Sequence, residues 1–181
     1  MKTGYTTPRE SRMRLMTMTA LMVALMAVFS QIVIPLPLVP INLALLAVLL
    51  CGFLLPKRWA MVAVLCYLLM GAVGLPVFAG FRGGPQALFG NTGGYLLGYI
   101  FTVLLIAQFE GWADSFMKRL MLSVLAVLAC YLPGTLWLMS LTGRTLSQVL
   151  PVAVLPFLPG DAVKCLLAAM LAPRLRGVLN K

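Results

Sequence analysis

The chain has 181 residues, 62% of them hydrophobic and 10% charged, with a formal net charge of +10. A typical soluble domain carries roughly 25% charged residues, so a water-soluble globule is excluded and the broad class is an all-α integral membrane protein. A transmembrane β-barrel is excluded too: its strands alternate in ~10-residue segments, whereas the runs here are continuous and rich in Leu, Ala, Val and Met, which fits helices and not strands.

The first apolar run predicts a span over 15–34. Lys2, Arg9, Arg12 and Arg14 precede it, as basic residues precede a signal peptide. The run is too long for a signal h-region, and no Ala-x-Ala site leads into a soluble domain, so it reads as a retained first helix. Pro35, Pro37 and Pro40 end it, because proline lacks the backbone N–H and disfavours helix in the residue before it. The second span is expected over 41–55 and the third over 59–74, with Lys57 and Arg58 between them. A glycine-rich loop, FRGGPQALFGNTGGYLLGY, leads into a fourth span over 92–109. The polar linker EGWADSFMKR separates it from a fifth over 120–141. TGRTLSQVLPVAVLPFLPGD is too broken by proline for one span, and reads as a short helix from about Thr145 followed by a re-entrant or peripheral segment. The sixth span, over 160–172, is short and requires protein rather than lipid around its outer end.

Six spans make a single membrane domain over 1–181 and put both termini on one side. On that side fall Lys2, Arg9, Arg12, Arg14, Lys57, Arg58, Lys118, Arg119, Arg174, Arg176 and Lys181. Arg82 and Arg144 fall on the other, and Lys164 lies within a span. That bias is the topology signal of a multi-pass cell-membrane protein with cytoplasmic termini. It also explains the net charge without nucleic acid, since the basic residues form no face with interleaved aromatics.

The chain has no histidine, and Cys51, Cys66, Cys130 and Cys165 lie in apolar runs without a CxxC. No metal site or disulfide framework is expected, and the cysteines read as small buried hydrophobes. The glycine-rich loop is not a P-loop. Counting from Gly84, the second glycine comes one residue late at Gly90, and Asn91 stands where the lysine would be. The glycines are better suited to unusual backbone angles and close approach.

Of the four acids, Glu10, Glu110 and Asp114 fall in solvated segments and Asp161 does not. Lys164 follows it at i+3, on the same helix face. An ionisable residue in mid-membrane costs about 2.5–3.5 kcal/mol on insertion scales and is by default a functional candidate. One reading makes Asp161 the N-cap of the sixth helix, following Pro159 and Gly160, with Lys164 neutralising it. The other makes the pair a ligand site, with the carboxylate accepting from N–H groups and the ammonium donating to a carbonyl or carboxylate. A urea or lactam presents that pattern. In the first span Ala20, Ala24 and Ala27 share a small-xxx-small face, suited to internal packing or to docking another membrane subunit.

Three segments, IPLPLVPINLALLAV, LLMGAVGLPVFAGFRGGPQALFGNTGGYLLGY and LPFLPGDAVKCLLA, together resemble the BioY family, the biotin-binding S components of energy-coupling factor (ECF) transporters. The resemblance implies a six-helix S-component fold with both termini cytoplasmic. It implies a biotin pocket near the outer face, lidded by the loop after the first span and by the glycine-rich loop. Asp161 and Lys164, in the family's PGDxxK motif, are implied to meet the biotin ring system, and Arg82 its valerate carboxylate. Ala20 and Ala24 are implied to dock on the transmembrane coupling subunit, which works with partner ATPases. Asn91 stands where many members have proline. Asn42 and Ala44 replace a Thr and a Gln of the first loop, leaving Asn42 as its polar contact. Tyr95 or Trp137 is expected to pack on the bicyclic ring. No catalytic residue, cofactor or metal is expected, and biotin is the ligand. The alternatives are an S component for another vitamin, an intramembrane lipid-modifying enzyme, or a structural subunit whose charged pair only neutralises itself.

Overall fold

The computed structural model describes residues 8–35 and 39–179. Lys2, Pro37 and Lys181, and the side chain of Arg9, lie outside the described residues. The chain is mostly helical. In order it forms α1 (Pro8–Ser30), β1 (Val33–Ile34), β2 (Ile41–Asn42), α2 (Ala44–Leu54), α3 (Lys57–Ala72), α4 (Pro85–Leu88), α5 (Gly93–Phe109), a 3-10 turn (Glu110–Trp112), α6 (Phe116–Thr142), α7 (Leu146–Ala153) and α8 (Leu158–Leu179).

Each predicted span coincides with a helix, but several bounds move. The first helix stops at Ser30, and residues on either side of the proline-rich stretch form an antiparallel ribbon pairing Val33 with Asn42 and Ile34 with Ile41. Strand was not expected there. Local proline content reads as coil, whereas the pairing is made by the flanking residues Val33, Ile34, Ile41 and Asn42, which keep the backbone N–H groups that proline lacks. The last helix is longer than expected and runs through Pro173 to Leu179. The short helix at Thr145 is present as α7, opened by a capping box in which Thr145 and Gln148 satisfy each other's backbone N–H groups.

Among the described residues, three helical stretches are long and apolar enough to cross a membrane: Arg12–Ser30, Gly93–Trp112 and Phe116–Thr142. α7 and α8 reach the same length and hydropathy only when taken together, as a broken span or a re-entrant segment bent by 58° at their junction. α2 is only 11 residues long, and Ala44 to Phe53 are all buried. A helix apolar and covered on every side is the centre of a bundle, and α1, α3, α5 and α8 surround it.

α5 and α6 pack against each other more extensively than any other pair of helices among the described residues. A Cβ on Gly98 would lie 2.7 Å from both the carbonyl oxygen and Sγ of Cys130. Thr102, one turn further along α5, is buried and donates to the Ala126 carbonyl at 3.1 Å. Small residues at four-residue spacing therefore draw these two backbones together.

Basic side chains tie off one end of the bundle. Lys57 donates to Gln108 at 2.5 Å, Arg119 donates to the carbonyls of Ala113, Asp114 and Ala169, and Arg176 bonds both Glu110 and the Phe53 carbonyl at the end of α2. Lys118 pairs with Asp114 at 2.9 Å and holds that exposed carboxyl below its ordinary pKa by hydrogen bonding. Cys51, Cys130 and Cys165 are buried as expected, but Cys66 is exposed, because it points outward from α3.

Candidate functional site

At the opposite end of the bundle α2, α3, α5, α6 and α8 leave a cavity of about 60 Å³. Asn42, Arg82, Tyr95, Asp161 and Lys164 all line it, although they come from four separate stretches of chain. Asn91 does not. It lines a wider cleft alongside, which Arg82 shares with Pro40, Gln86 and Thr92.

Asp161 and Lys164 sit in the first two turns of α8, each only 4% exposed. Asp161 is not an N-cap, because α8 already begins at Leu158. Its carboxylate faces inward. Oδ1 accepts from Lys164 Nζ at 2.6 Å, and Oδ2 accepts from the Tyr131 hydroxyl of α6 at 2.5 Å. Burying a carboxylate and an ammonium together is tolerable only where each finds a partner, and here both do. The groups are not saturated. A carboxylate offers about four acceptor sites and an ammonium three donors, so acceptor and donor capacity both remain at the cavity wall.

Aromatic rings make up much of the remaining wall. Tyr95 stacks on Phe157 with centroids 6.4 Å apart and planes 20° from parallel, and its hydroxyl donates to the Ala153 carbonyl at 3.0 Å. Its ring packs directly over Gly134, where a Cβ would collide with it. Tyr67 meets Phe78 edge-on at 5.4 Å. Trp137 does not line the cavity. Its indole N–H donates to the Gly90 carbonyl at 3.0 Å and its ring stacks on Phe89, so it anchors the glycine-rich loop to α6. Asn42 turns its Oδ1 to the Ala44 N–H at 3.0 Å, which opens α2.

The loop between α3 and α4 brings Phe78 and Arg82 to the cavity and exchanges backbone hydrogen bonds between those two residues. It is fastened to the end of α1. Ser30 donates to the Val77 carbonyl, Gln31 Nε2 to the Pro76 and Phe78 carbonyls at 3.3 Å each, and Gln31 Oε1 accepts from the Phe81 N–H at 2.8 Å. Gly84 takes φ +87° where this loop enters α4, a conformation open to glycine and costly for other residues. Bare backbone in the glycine-rich segment thus allows a reversal at Gly84 and close helix packing at Gly98.

Tyr131 and Gln31 are not evident from the sequence. A signal for the first exists in hindsight: a buried aspartate needs more donors than one lysine supplies, and mid-span tyrosines are the nearest candidates. On α1, Ala20 and Ala24 are exposed on an outward face with Leu21 and Val28, while Ala27 is partly covered.

A sequence profile described as the BioY family matches residues 3–181. The relative named "Probable biotin transporter BioY" from Pyrococcus horikoshii is 36% identical over 161 residues, covering 89% of this chain and 95% of that protein. The biotin transporter BioY of Thermotoga maritima is 35% identical over 164 residues, with 91% and 96% covered. Among solved structures, the S-component for biotin from an ECF-type ABC transporter superposes with a TM-score of 0.86 at 27% identity, covering 95% of each chain.

Proposed function

The chain belongs to the BioY family, and from that premise we propose that it is the biotin-binding membrane subunit of a vitamin uptake transporter. It takes biotin from outside and delivers it to the cytoplasm with energy from partner ATPases, acting through a transmembrane coupling subunit. The family is one of transporters and not of enzymes, so the lipid-enzyme alternative falls away.

The observation that carries the reading is the buried Asp161–Lys164 pair facing an aromatic cavity. A cyclic urea has N–H groups flanking one carbonyl. Asp161 accepts from the N–H groups and Lys164 donates to the carbonyl, so both buried charges keep their partners when the ligand arrives. Tyr67, Phe78 and Tyr95 offer apolar faces to the ring system. Arg82, exposed at the rim, meets the carboxylate at the far end of the ligand, with Asn91 in the adjoining cleft and Asn42 at the first loop.

Six spans, with both termini cytoplasmic, fit this function in a multi-pass cell-membrane protein. α2 is shorter than a bilayer, and its complete coverage by protein makes that length tolerable. The basic residues clustered at the end opposite the cavity support a cytoplasmic placement of that end, which opens the cavity outward. An ABC-type assembly around the solved relative supports ATP-driven partners, and the outward Ala20/Ala24 face is the proposed docking surface for the coupling subunit.

The test is equilibrium binding of biotin to the detergent-purified chain beside Asp161→Asn and Lys164→Met. Tight binding weakened at least tenfold in both, about 1.4 kcal/mol, is expected. A folded wild-type chain that does not bind biotin overturns the proposal.

A further inference from the structure

We infer that Tyr131 is a positioning residue for the ligand's hydrogen-bonding end, a role that rests on the biotin reading above and adds a residue to it. Tyr131 is buried, and its hydroxyl donates to Asp161 Oδ2 at 2.5 Å. The other donor to this carboxylate, Lys164, lies on the same helix as Asp161 and one turn away. A carboxylate held only from its own helix keeps freedom to turn about its Cβ–Cγ bond. The Tyr131 contact comes from α6 and fixes it from the other side. Both oxygens are then anchored, one on each helix, and each has acceptor capacity left over. That capacity is fixed in direction before any ligand arrives, which suits two N–H groups held rigidly in one small ring. Pre-organisation of this kind raises affinity by removing the ordering cost from the binding step.

Two other roles are open to a tyrosine at this place. Its oxygen could touch the ligand directly, since Tyr131 lines the cavity, or it could hold α6 to α8 without regard to ligand. A double-mutant cycle separates the three. Biotin affinity is measured for the intact chain, Tyr131→Phe, Asp161→Asn and the double variant, with thermal unfolding of the empty proteins alongside. The single Tyr131→Phe change is expected to weaken biotin roughly tenfold, in line with the loss of a hydrogen bond to a charged group. In the Asp161→Asn background the same change is expected to matter less than about twofold, because the oriented carboxylate is already gone. Desthiobiotin, which keeps the cyclic urea and lacks the sulfur ring, is expected to lose the same factor as biotin.

Equal losses in both backgrounds overturn the inference, as does a Tyr131→Phe chain that binds biotin like the wild type. Should Tyr131→Phe not stay folded, Tyr131→His takes its place in the same cycle and is read by the same non-additivity. A wild-type chain without biotin affinity would instead sink the proposed function, and the two failures are thereby told apart.

Discussion

Gln31 accepts a hydrogen bond from the Phe81 N–H at 2.8 Å, and Phe81 sits at φ 56°, in the left-handed region that side chains avoid. That conformation costs about 1–2 kcal/mol in a residue with a Cβ. The same side chain also donates to the Pro76 and Phe78 carbonyls, so one residue at the end of α1 holds both limbs of the loop that carries Arg82. Gln31→Ala is expected to speed biotin release about tenfold with little change in thermal stability. The comparison is made by stopped-flow or filter dissociation at one temperature. Unchanged release would mean the loop closes without Gln31.

Gly98 leaves no room for a side chain against Cys130. Gly98→Val is expected to destabilise the fold by about 1–3 kcal/mol through overpacking, and to lower the melting temperature in detergent. Biotin affinity should fall with it, since Tyr95 and Tyr131 sit on the two helices being forced apart. A Gly98→Val protein that melts and binds like the wild type would show that α5 and α6 can separate without harm.

The ion pair and the ligand site make separable predictions. Lys164→Met leaves Asp161 buried with Tyr131 as its remaining donor, and removing one member of a buried pair typically costs about 3–5 kcal/mol. Asp161→Asn/Lys164→Met removes both charges and is expected to regain most of that stability while still failing to bind biotin. Thermal unfolding and biotin titration on the same samples decide it. A double variant that binds normally would leave the pair with a purely neutralising role.

Ala20 and Ala24 face outward from α1. Ala20→Trp/Ala24→Trp is therefore expected to leave biotin affinity and melting temperature of the isolated subunit unchanged, while uptake in cells carrying the coupling subunit and ATPases falls to background. Loss of affinity in the isolated subunit would show instead that this face packs within the chain.

Much of this architecture is legible in the sequence because membrane helices announce themselves by apolar length and basic flanks. Asp161 and Lys164 stand out because a charge within such a run is costly unless a partner or a ligand meets it. Tyr131 is hidden for the opposite reason: a tyrosine in an apolar run is ordinary, and its partner lies 30 residues away on another helix. Gln31 falls inside the predicted first span, over 15–34, and its partners lie 45 to 50 residues away in a loop that local sequence does not connect to it. The β1–β2 ribbon depends on a register between two short segments, which composition does not encode. Pro35 and Pro40 mark the turn-back, but not the pairing.

Asp161 and Lys164 both lie in α8, whereas the other walls of their cavity belong to α2, α3, α5 and α6. The lining is therefore divided between four helices that give it shape and one that gives it charge. A displacement of α8 alone would carry both charges away from the Tyr131 hydroxyl and leave the aromatic walls where they are, so grip and shape in this cavity are separately adjustable.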